Sequence, residues 1–247
     1  MTDLQRDRVP QVPSARLAGL LYLIVMAGSA FQFLVRATLV VRGDASATAA
    51  NIAASEHLYR LGGVAELVAL ASSIGVAAIF YELLKPISKS GALLAAFFNL
   101  ASTAIRGAVA LSYYAVLLLL RGGDMPGTLV QQDLQALALL SARLYGLGFD
   151  ISLFFFACNS AVLGYLFLAA QFVPRLLGVL LVITGLSYLV QIFANFLLPS
   201  FGASLFPAFL LPAASALLLV NVWLALFGVN AAKWRAQADA SGHRSSP

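Results

Sequence analysis

Residues 61–83 read LGGVAELVALASSIGVAAIFYEL, an apolar run broken by two charges, Glu66 well inside it and Glu82 at its end. As an α-helix rising 1.5 Å per residue, such a run crosses about 30 Å, the thickness of a bilayer core. Lipid offers the backbone no hydrogen-bond partner, so a spanning segment must pair its own N–H and C=O groups, and a helix does this. Five more stretches have the same character: 17–38, 92–120, 146–170, 176–198 and 206–228. The expectation is an all-α, six-helix transmembrane bundle over residues 15–230, with loose tails at 1–14 and 231–247.

Composition agrees. Hydrophobic residues make up 61% and charged residues 10% of the 247-residue chain, against about 25% charged in soluble domains, and the mean hydropathy is +0.92. Pro86, Pro126, Pro174, Pro199 and Pro207 fall at or beside span ends, where a missing N–H is harmless. Pro212 lies inside the sixth span and predicts a kink.

Orientation follows from the distribution of Lys and Arg, which favours the cytoplasmic side. Arg6, Arg8, Arg16, Lys85, Lys89, Arg175, Lys233, Arg235 and Arg244 lie on one side, and Arg36, Arg42, Arg60, Arg121 and Arg143 on the other. Nine against five places both termini in the cytoplasm. The net charge of +5 then reads as attraction to anionic headgroups, and no basic domain suited to nucleic acid is present. A basic start followed by Gly28, Ser29 and Ala30 imitates a secretory signal, but the apolar run continues to Val35, and its removal would leave five spans. Cys158 is the sole cysteine, expected as buried packing in the fourth span.

Two long outer connections carry helix starts, at Asp44 and at Thr128 with Gln131 three residues later, and each is expected to run into the next span. LYRLG at 58–62 and LYGLG at 144–148 are read as the points where those helices enter or bend. A shift of 159 residues lays 16–36 over 175–195, matching Gln32 with Gln191, and a shift of 84 lays Glu66 over Asp150. These echoes suggest three helical hairpins with weak internal symmetry.

Glu66, Arg106 and Asp150 are ionisable groups on three different spans. At roughly 2.5 to 3.5 kcal/mol each, leaving all three unpartnered at membrane depth would cost about 8 to 10 kcal/mol, so they are expected to meet. The natural arrangement has the Arg106 fork between both carboxylates, with Arg36, Arg60 or Arg143 balancing the surplus charge, or one acid protonated. Gln32 and Arg36 share one helix face, as do Gln191 and Asn195, and all seven residues lie toward the outer half. The inner half offers little besides Asn221 and Glu82. Glu66, Arg106, Asp150, Gln32, Arg36, Gln191 and Asn195 are therefore the candidate ligand-binding set. The competing reading is that they only specify helix register and packing.

The strings RLAGLLYLIV, GDASATAANI, LLAAFFNLA, LQALALL, YGLGFDISLFFF and PRLLGVLLVITGLSYL, in this order, resemble a bacterial family of integral membrane proteins known as domain of unknown function 4386. The resemblance covers about 15–230. It implies six membrane helices and carries no catalytic assignment. It also implies a histidine shortly before the Asp of GFD, where this chain has Tyr145, so a role needing that histidine does not transfer.

Several chemistries lack their residues. With only His57 and His243, a bis-histidine haem site and a zinc site of His and Cys ligands cannot be built from one chain, so no metal or cofactor is expected. There is no phosphate loop and no GxSxG elbow. GLGFD at 146–150 differs by one inserted residue from the glycine-x-glycine-Asp motif of intramembrane aspartyl proteases. Three functions stay open. One is a pocket that binds or transports a small amphiphilic or polar molecule within the bilayer. Another is a non-catalytic partner or sensor subunit, meeting another protein through 44–60 and 128–143. A third is an intramembrane lipid-modifying enzyme using the carboxylates as acid and base.

Overall fold

The computed structural model describes residues 14–121 and 130–242; the expected tail at 1–14 and the Thr128 helix start fall outside them, apart from Ser14. The described residues form eight helices: α1 (Ala15–Leu39), α2 (Ala45–Ala54), α3 (Glu56–Leu84), α4 (Lys89–Arg121), α5 (Gln131–Ala169), α6 (Arg175–Leu197), α7 (Pro199–Phe227) and α8 (Ala231–Gly242). Five of them, α1, α3, α4, α5 and α6, are long and apolar enough to cross a membrane, and the sixth expected span corresponds to α7. The chain is an all-α transmembrane bundle.

Neighbours in the bundle are neighbours in the chain. Each spanning helix packs antiparallel on the next, and α7 returns to α1, closing a ring. The apolar side chains that find no place inside form a lipid-facing coat, with Leu111 75% and Leu197 74% exposed. In water such a surface would aggregate; in hydrocarbon it is solvated.

Between α5 and α6 the packing is backbone to backbone. A Cβ added at Gly164 would stand 2.7 Å from the Val182 N, and one at Gly185 would stand 2.7 Å from the Ala157 O. Lipid tails supply no hydrophobic force between helices, so association depends on such close approach, and small residues at the seam permit it.

Three expectations are corrected by the fold. First, the outer helix that starts at Asp44 does not run unbroken into its span: it ends at Ser55, where α3 begins, and LYRLG lies just inside α3. Asp44 does cap α2, its Oδ1 accepting from the Ala47 N at 2.8 Å. The α2 helix buries Thr48, Ala49 and Ile52 and packs mainly on α5, whereas α3 packs on α1 and α4. Two such directions cannot share one axis. The second expected connection has no such conflict and runs straight into its span as the 39-residue α5.

Second, residues 231–242 are helical rather than a loose tail. Leu211–Phe227 turns by 97° into Ala231–Ala240, with Gly228 at φ +68° supplying the left-handed corner. Trp234 explains the order: it is 3% exposed, and its indole N–H donates to the Leu83 O at 2.9 Å. One large aromatic ring thus fastens α8 across the end of α3, a contact that charge and local composition do not reveal. Third, Cys158 is half-buried rather than buried.

Candidate functional site

The site lies toward the α2 end of the bundle, where α1, α3, α4 and α5 converge. The Arg106 Nε donates to Glu66 Oε1 at 3.0 Å, its Nη2 to Glu66 Oε2 at 2.7 Å, and the same Nη2 to Ser29 Oγ at 2.8 Å. The side chains are 13% and 3% exposed, so this is a buried bidentate pair joining α1, α3 and α4. The Arg106 guanidinium also lies over the Phe149 ring of α5, 5.5 Å from its centroid.

Asp150 does not join this pair, contrary to the expected fork between two carboxylates. Among the described residues it makes no salt bridge, and the charge acting on it is that of Arg36. The reason is geometric. The Nε and Nη2 groups of Arg106 are taken by Glu66 and Ser29, and Arg36 reaches across from α1, lying over the Tyr145 ring at 5.3 Å and beside Gly146. Gly146 stands one turn from Asp150 on α5, and its missing side chain is the space the Arg36 guanidinium occupies. Arg60 is unavailable, because it and Arg121 both bond Glu56 at the rim.

Two polar atoms around the pair are buried without a hydrogen-bond partner: the Gln32 Nε2 and the Tyr145 hydroxyl. Gln32 is 2% exposed and lies one turn from Ser29 and one turn from Arg36 on α1. Tyr145 is 1% exposed, and its hydroxyl faces the Glu66 carboxylate, a marginal hydrogen-bond acceptor for it. A buried donor without an acceptor costs about 1 to 3 kcal/mol.

Gln191 and Asn195 belong elsewhere. The Gln191 Nε2 donates to Asn195 Oδ1 and to the Gly202 O, both at 2.9 Å, which ties α6 to the start of α7. They brace the α6–α7 hairpin rather than touching the ion pair.

Above the pair sits an aromatic clasp. The Tyr59 and Tyr113 rings stack at 4.1 Å, and each hydroxyl donates to the other residue's carbonyl, at 3.1 and 2.7 Å. Tyr113 is 2% exposed in this cluster. Below the pair lies a layer that the sequence reading missed. Ser73 donates to Asn99 Oδ1 at 3.2 Å and stands 3.0 Å from Thr103 Oγ1. Asn159 faces the same level with its Nδ2 unpartnered, and Asn99 and Asn159 line a narrow cleft with room for about one water. The signal was present as a seven-residue spacing: Tyr59, Glu66, Ser73 and Phe80 on α3; Tyr113, Arg106, Asn99 and Ala92 on α4; Tyr145, Ser152, Asn159 and Leu166 on α5. Seven residues make nearly two helical turns, so each set is one inward stripe.

These features define a multi-pass helical membrane protein with an ionic and amide-lined interior. The chain belongs to the family described as Domain of unknown function (DUF4386), whose model matches residues 17–228. No curated protein and no solved structure matches it.

Proposed function

We propose that the protein binds a small polar or amphiphilic molecule among Glu66, Arg106, Asp150, Gln32 and Arg36, and carries it into or across the bilayer. The observation that carries this reading is the unpartnered donor Gln32 Nε2 beside a closed ion pair. A ligand oxygen supplies the acceptor it lacks. Arg36 and Asp150 bear opposite charges on facing helices without a salt bridge between them, which suits a ligand carrying both a cationic and an anionic or strongly polar group. Gln191 and Asn195 contribute indirectly, by holding α7 against α6.

The positive-residue bias favours both termini in the cytoplasm and the site opening toward the opposite face. The partner-subunit reading is weaker, because α2, one of its two docking elements, spends its buried face on α5 of the same chain. An enzymatic reading lacks paired carboxylates, since Glu66 is held by Arg106 and Asp150 lies apart.

The test is a thermal-shift screen of the purified protein in detergent against dodecyl amphiphiles with anionic, cationic, zwitterionic and neutral headgroups. A stabilising headgroup class is expected, and Asp150→Asn and Gln32→Leu should abolish its effect while leaving the folded state intact. Unchanged shifts in both folded variants would overturn the proposal.

A further inference from the structure

At the opposite end of the molecule the 97° corner between α7 and α8 encloses an open groove of about 460 Å3. Its walls include Phe172 and Pro174 from the α5–α6 connection, Trp223 and Phe227 from α7, Gly228 at the corner, and Lys233 on the first turn of α8. A volume between about 300 and 1,000 Å3 is typical of small-molecule sites. Its two faces differ in chemistry: Phe227 is 64% exposed beside half-buried Trp223, while Lys233 is exposed across from them.

Lys233 lines the groove, and Arg16 and Arg175 adjoin its wall residues. Arg16 packs its side chain on Gly228, where an added Cβ would lie 3.1 Å from its Cγ, and Arg175 directly follows Pro174. Among the described residues, Arg16, Arg175 and Lys233 form no salt bridge, whereas Glu82 at this end is bonded to Lys85. The spanning part of α7 ends at the corner and α8 turns across the bundle end, which is the level at which lipid headgroups lie in a bilayer.

From this placement we infer that the α7–α8 groove is a binding site for one anionic phospholipid, with the phosphate on Lys233, flanked by Arg16 and Arg175, and the upper acyl chain along Trp223 and Phe227. Basic clefts at helix ends select anionic lipids by charge, each cation near the surface being worth about 1 kcal/mol. The site is separate from the Glu66–Arg106 region and does not depend on the function proposed for it.

The experiment is native mass spectrometry of the full chain released from detergent after incubation with equimolar phosphatidylglycerol and phosphatidylcholine. One phosphatidylglycerol should be retained in preference to phosphatidylcholine. Lys233→Gln should lower its retention about fivefold, the equivalent of 1 kcal/mol, whereas Lys89→Gln, at the same end but off the groove, should leave it unchanged. Phe227→Ser should weaken retention of the lipid without restoring phosphatidylcholine. Equal retention of both lipids, an unaffected Lys233→Gln variant, or displacement of the lipid by glycerol phosphate alone would each overturn the inference.

Discussion

Arg106 grips both carboxylate oxygens of Glu66 across forty residues of chain, with a third bond to Ser29 that brings α1 into the same knot. In hydrocarbon neither charge can be left alone, so the pair acts as one unit. Removing one partner strands the other.

Glu66→Leu and Arg106→Leu are therefore each expected to destabilise the bundle by about 3 to 5 kcal/mol, while the double replacement loses much less than the sum. Reversible unfolding of the four proteins in mixed micelles gives the cycle. Additive losses would show that the pair contributes no coupling.

Arg106→Lys keeps the charge but not the fork. An ammonium cannot span both Glu66 oxygens and Ser29 together, so the variant should fold with stability lowered by about 1 to 3 kcal/mol. Circular dichroism melts read this directly, and wild-type stability would contradict the planar requirement.

Tyr113→Phe removes the hydroxyl that donates to the Tyr59 carbonyl but keeps the ring stacked at 4.1 Å. The expected loss is about 1 kcal/mol, mostly that of one buried bond. Tyr113→Ala, which also removes the stack, should lose about 3 kcal/mol or more.

Trp234→Ala should free α8 from the bundle end, since the indole is both the buried anchor and the donor to Leu83. A loss of about 3 kcal/mol is expected, together with faster protease cleavage within 231–242. Cleavage at the wild-type rate would show that α8 is held by something other than this side chain.

Gly185→Leu and Gly164→Leu each place a side chain where the facing backbone stands within 2.7 Å of the first carbon. The helices must separate, and both variants should lower the melting temperature far more than Gly107→Leu, where the nearest atom is 3.9 Å away.

The echoes within the sequence show how far residue matching carries. Gln32 and Gln191 recur in register, as do Glu66 and Asp150, yet their bonding differs: Gln191 reaches Gly202 while the Gln32 Nε2 has no partner, and Glu66 takes Arg106 while Asp150 responds to Arg36. Matching positions set depth and face. What stands opposite sets the chemistry, and that belongs to other helices. Asn99 and Asn159 were overlooked for a related reason, because an uncharged amide in an apolar run raises no alarm until its seven-residue partners are aligned with it.

Local physics sufficed for much of the architecture. Apolar length against bilayer thickness set the spanning helices, the Asp44 side chain set the start of α2, and the cost of isolated charge required Glu66 to find a cation. Tertiary packing alone decided which cation that was, why Asp150 stood apart, where α2 separated from α3, and that Trp234 would draw α8 onto Leu83. A span is determined by its own residues exchanging water for lipid, whereas a partner is determined by rotation and register between helices far apart in the chain. Those depend on every contact in the ring at once.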